Sequence, residues 1–67
     1  MFYLFIRACR KYKFTFVLNT YGSIYIILRP INTFENIEIK GEYCEYGTYN
    51  KLFSKAIKIM KEYRMRY

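Results

Sequence analysis

The chain has 67 residues, 12 Lys and Arg against 5 acids, and a formal net charge of +7. At 54% hydrophobic and 22% aromatic it is far too apolar for a disordered segment, and its length allows one domain with a small core. His, Asp, Trp and Gln are absent, which excludes histidine acid–base chemistry, Ser-His-Asp and Cys-His arrangements, and histidine metal ligation.

In chain order, Phe2, Leu4, Ile6 and Ala8 alternate with Tyr3, Phe5 and Arg7. This reads as a strand over about 1–9, covered on both faces because both are apolar near its start. Arg10 and Lys11 follow as a charged turn. Tyr12, Phe14, Phe16 and Leu18 then alternate with Lys13, Thr15 and Val17, the clearest period-two pattern in the chain, and predict a strand over 12–19. Asn19 to Ser23 is turn chemistry around Gly22. A third strand is expected over 24–29, ended by Pro30, which has no N–H for a ladder. Residues 36–40 form a short fourth strand, and 42–46 are either a fifth or an extended lead into the next element.

From Thr48 the period changes. At about 100° per residue, Tyr49, Leu52, Phe53, Ala56, Ile57, Met60, Tyr63 and Tyr67 share one stripe. Lys51, Ser54, Lys55, Lys58, Lys61, Glu62 and Arg66 take the opposite side. Ile59 and Met65 lie off the apolar stripe, and Arg64 intrudes on it. The pattern predicts an amphipathic helix over about 49–66 with Thr48 as N-cap. The expected fold is α+β, a small antiparallel sheet of three to five strands with one C-terminal amphipathic helix packed on one face, in a single domain spanning 1–67. With no crossover helix between strands, a doubly wound parallel sheet is excluded.

Charge is uneven along the chain. Residues 1–29 carry five basic residues and no acid, 34–46 carry four glutamates against Lys40, and 48–67 carry six basic residues against Glu62. On the helix, Lys51, Lys55 and Lys58 are like-charged neighbours, and Lys51 sits in a first turn whose dipole favours acids. A face that repels itself is either incidental, as AT-rich codon usage would make it, or kept for an external anion. The expected binding residues are Lys51, Lys55, Lys58, Lys61 and Arg66, with Arg7, Arg10 and Lys11 from the first segment.

Fifteen aromatic rings, 9 Tyr and 6 Phe, are too many for a small core. Tyr3, Phe5, Tyr25 and Tyr43 are expected on the sheet face away from the helix, near Arg7 and Arg29. That face would serve as a homodimer interface or a base-stacking platform. Glu38-Ile39-Lys40 matches half of a metal-dependent nuclease signature, but the upstream Asp is missing, and the bland reading is a solvent-facing strand pair. Cys9 and Cys44 lack C-x-x-C spacing; one disulfide between them is the alternative to the expected pair of semi-buried free thiols. No metal, cofactor or catalytic residue is expected.

Arg7 interrupts the apolar start before a secretory signal can form, and Phe14–Ile31 is too broken by polar residues to span a bilayer. The expected setting is therefore cytoplasmic, with no membrane partner. The length, the AT-rich residue usage and the lack of a catalytic set resemble small accessory proteins of viruses and plasmids, which would place the chain in a host's cytoplasm. The expected function is a non-catalytic, homodimeric protein engaging nucleic acid or a nucleoprotein through the lysine-rich helix face. The alternative is a protein-binding inhibitor or adaptor acting on a host protein machine, through the aromatic sheet face or the acidic patch between Glu35 and Glu45.

Overall fold

The computed structural model of the chain describes residues 1–20, 24–41 and 48–66, with only the backbone of Thr48. Its elements are α1 (Phe2–Tyr12), β1 (Phe14–Asn19), β2 (Tyr25–Pro30), β3 (Ile37–Lys40) and α2 (Thr48–Arg66). The strands form an antiparallel sheet in the order β1-β2-β3. The C-terminal helix packs on that sheet, so the chain is a small α+β domain. An N-terminal helix completes the same layer.

That helix corrects the strand expected over about 1–9 and the charged turn after it. Tyr12 ends the helix rather than opening a strand, so the first strand begins at Phe14 instead of 12. Short apolar runs fit both periods. Read at helical spacing, Phe5, Ala8, Cys9 and Tyr12 fall at i, i+3, i+4 and i+7, and the first three are buried. The helix ends where Lys13 turns left-handed (φ 59°, ψ 62°) and donates its N–H to the Cys9 carbonyl.

The sheet explains why a second helix is needed. Three strands make a layer about 14 Å wide, and one helix covers about 10 Å of it. Helix α2 packs against β2 and β3, and α1 takes the remaining space over β1. Met1 and Ser54 meet at one end of the helix pair, and Tyr12 and Arg64 at the other, so the two helices run roughly parallel.

The register separates the two faces of the sheet. Phe14, Phe16 and Leu18 pair with Pro30, Leu28 and Ile26, and the last two pair with Ile37 and Ile39. This inner face meets Phe5, Ala8 and Cys9 of α1 and Leu52, Phe53, Ala56 and Met60 of α2. Phe5 is fully buried, with its ring 4.8 Å from Phe16 and 4.9 Å from Phe53.

The Ile31 N–H bonds the Lys13 carbonyl at 2.9 Å, which makes Phe14↔Pro30 a non-hydrogen-bonded pair. An N–H at Pro30 would therefore point toward β3, but β3 has already ended at the Leu28↔Ile37 pair. A proline is thus accepted at the end of the central strand. Asn32 (φ 69°) makes the following turn, closed by Thr33 N–H and hydroxyl bonds to the Pro30 carbonyl. The possible strand at 42–46, the Gly22 turn and the Thr48 side-chain cap lie outside the described residues.

Candidate functional site

Helix α2 presents the basic face that its sequence predicts. Lys51, Lys55, Lys58, Lys61 and Arg66 are all exposed, while Leu52, Phe53, Ala56 and Met60 are buried and Ile57 and Tyr63 half-buried. Two stripe positions depart from expectation. Tyr49 is exposed, with its ring 6.3 Å from that of Phe53. Ile59, read as off the stripe, is half-buried against the core.

Arg7, Arg10 and Lys11 are also exposed, now on α1 rather than on a strand and its turn. Because α1 and α2 lie side by side on one sheet face, all eight expected cations belong to one helix layer. Between the helices runs a groove with Leu4, Ala8, Tyr12 and Ile57 on its floor and Arg7 and Lys11 along one wall. The Arg7 guanidinium lies over the Tyr3 ring at 5.8 Å, and the Lys11 ammonium over Tyr12 at 5.4 Å. These ring contacts steady both cations without neutralising them.

Among the described residues, no carboxylate reaches ion-pair distance of these eight groups, Glu62 included. Glu35 instead accepts the Tyr63 hydroxyl at 3.1 Å, and Glu38 is exposed on the outer sheet face. Glu42 and Glu45 lie outside the described residues, and with them half of the expected acidic patch.

Arg64, the residue that breaks the apolar stripe, has a structural task. Its Nε donates to the Tyr12 carbonyl at 2.6 Å and its Nη2 to the Lys13 carbonyl at 3.0 Å. It gives the Tyr12 carbonyl a partner, adds a second donor to the Lys13 carbonyl, and places a cation at the negative pole of that helix. Its guanidinium also lies 5.3 Å from the Phe14 ring centre. The Lys13 carbonyl therefore ties α1 to both α2 and the start of the turn after β2.

The aromatic set expected on one sheet face is not assembled. Phe5 is in the core between helices and sheet, and Tyr3 is on α1, 69% exposed. Tyr25 is half-buried on the outer sheet face, and Tyr43 lies outside the described residues. The expectation failed because it placed Tyr3 and Phe5 on a strand. The outer face instead carries Thr15, Val17, Ile27, Arg29, Glu38 and Lys40 around Tyr25. Arg29 bonds Asn36 there at 3.0 Å, far from Arg7 on the helix layer. Glu38 and Lys40 of the E-x-K tripeptide both face solvent.

Cys9 is a free, buried thiol whose pKa burial raises from 9.0 to about 11. It is a poor nucleophile and part of the α1 core face. Cys44 lies outside the described residues. No group of three or more His, Cys, Asp or Glu residues is placed to hold a metal among the described residues, and none of their helices is long and apolar enough to cross a membrane. Comparison with protein-family models, with curated proteins and with solved structures finds no match to this chain.

Proposed function

We propose that the chain is a small, non-catalytic binding protein whose helix layer engages nucleic acid, chiefly through phosphate contacts. The observation that supports this reading is the gathering of eight exposed cations from two separate helices onto one layer, without a carboxylate partner among the described residues. Lys51, Lys55, Lys58, Lys61 and Arg66 are exposed on α2, and Arg7 and Lys11 line the groove between the helices. Contacts of this kind fix position rather than sequence, so the preference should be for the form of the nucleic acid and not for its bases.

Titration against labelled single- and double-stranded DNA and RNA at two salt concentrations tests it. With about five phosphates neutralised, affinity should fall roughly 10²–10³-fold between 50 and 200 mM salt. Replacing Lys51, Lys55 and Lys58 together by Gln should weaken binding and flatten that slope while leaving the fold intact. Absence of binding at low salt, or indifference to salt, removes the proposal.

A second reading, an inhibitor or adaptor that docks on a protein, is favoured by Phe34, which stands 97% exposed in the turn between β2 and β3. A stoichiometric partner captured from nuclease-treated lysate, and lost with Phe34→Ser, would support it over nucleic acid.

A further inference from the structure

The two edges of the sheet are built differently. Strand β3 is four residues long and exposes Glu38 and Lys40, features that discourage strand addition. Strand β1 is six residues, Phe-Thr-Phe-Val-Leu-Asn, with no charge and no proline. Because Phe14↔Pro30 is a non-hydrogen-bonded pair, so are Phe16↔Leu28 and Leu18↔Ile26. The backbone N–H and C=O groups of Phe14, Phe16 and Leu18 therefore point away from β2, and no backbone group among the described residues meets them. Above this edge runs a trough, roofed by Ile6, Cys9 and Arg10 of α1 and floored by Phe14, Phe16 and Ile31. On the outer side Val17 is 61% exposed.

We propose that β1 is the homodimer interface, pairing antiparallel with β1 of a second copy so that two three-stranded sheets become one. Of the eight helix-layer cations, the trough takes in Arg10 alone. The register that pairs all three outward-pointing residues sets Phe16 against Phe16 across the two-fold axis, and Phe14 against Leu18. Each of the three then gives one hydrogen bond and accepts one.

The occupant is a second copy rather than a lone extended peptide because two surfaces need covering. A peptide would satisfy the strand edge and leave Ile6 and the trough open. A two-fold copy brings its own strand to the edge and its own α1 beside the first. The absence of charge on β1 gives an ionic partner nothing to pair with, and lets like meet like without repulsion inside the sheet. Strand pairing with the trough closed is expected to bury on the order of 1,000 Å², near the lower limit for a specific interface, and dissociation is expected in the micromolar range.

The register supplies its own test, because it sets Thr15 of one copy directly opposite Val17 of the other on the outer face. Both residues are exposed, so charges there leave the core alone. Sedimentation equilibrium of the full chain should show a monomer–dimer equilibrium that persists in salt concentrations abolishing nucleic-acid binding. Thr15→Glu with Val17→Glu sets like charges opposite each other twice and should weaken the dimer at least tenfold. Thr15→Glu with Val17→Lys sets opposite charges together and should recover at least that factor. A wild-type chain that stays monomeric to high micromolar concentration overturns the proposal, as does equal dimerisation of the two variants.

Discussion

Helices α1 and α2 lie side by side in one layer, yet they are held by different means. Helix α2 has 19 residues, a full apolar stripe and the whole width of β2 and β3 beneath it. Helix α1 has 11 residues, three of them buried, and leans on contacts supplied from elsewhere: Phe16 and Phe53 against Phe5, and Arg64 on its last carbonyls. The difference shows that a short helix can be specified by its neighbours rather than by its own pattern. It follows that α1 should fail before α2 whenever one of those neighbours is removed.

The largest effect should come from Phe5→Ala, which empties the junction of both helices with the sheet. Such truncations cost about 3–5 kcal/mol, enough in a chain this small to leave much of the population unfolded. Urea unfolding followed by circular dichroism measures it. A loss below about 1 kcal/mol would mean that α1 does not sit where it is described.

A smaller effect is expected from Arg64→Met, which keeps the packed stem and removes the guanidinium. The part-buried Tyr12 carbonyl loses its charged donor, for about 1–3 kcal/mol, while the exposed Lys13 carbonyl keeps its bond from Ile31. Hydrogen exchange should rise at the last turn of α1 and change little in the middle of α2. Equal loosening of both helices would deny Arg64 its role as a cap supplied by the neighbouring helix.

The smallest effect is alkaline and centred on α1, whose core face holds the buried thiol of Cys9. Cys9 stays neutral in the fold up to about pH 11, against 9.0 for an open thiol. Its contribution is intact below pH 9 and is lost as pH climbs from there through 11, where the unfolded chain gains by forming thiolate. Comparing the chain with Cys9→Ala isolates this from lysine and tyrosine titration. The stability difference between them should shrink across that interval, and a difference constant with pH would contradict it.

Much of the architecture was legible because periodicity carries it. The 49–66 helix, the third strand and the Ile37–Lys40 strand come through within a residue or two, since each has a face that must be buried and a face that must not. The exposed cations of α2 were legible for the same reason. Phe5 and Tyr3 were not. Their segment alternates as well as it spirals, and choosing between the two requires knowing that β1 has no cover. A signal was present in the i, i+3, i+4, i+7 spacing of Phe5, Ala8, Cys9 and Tyr12, but the alternation of Phe2, Leu4, Ile6 and Ala8 competed with it. Arg64 was visible as a flaw in the stripe, although its purpose was not, since its partners lie more than fifty residues upstream.

By itself, then, the order of residues determined where the apolar faces fall in α2 and in the three strands, and that the chain carries a large surplus of positive charge. Only the tertiary structure decided that the first segment coils, that its cations join those of α2 in one layer, and that the outer edge of β1 meets no further strand among the described residues. Local pattern states which side of an element must be hidden. What hides it depends on the widths of sheet and helix and on which carbonyls are left over, quantities that exist only once the elements are together.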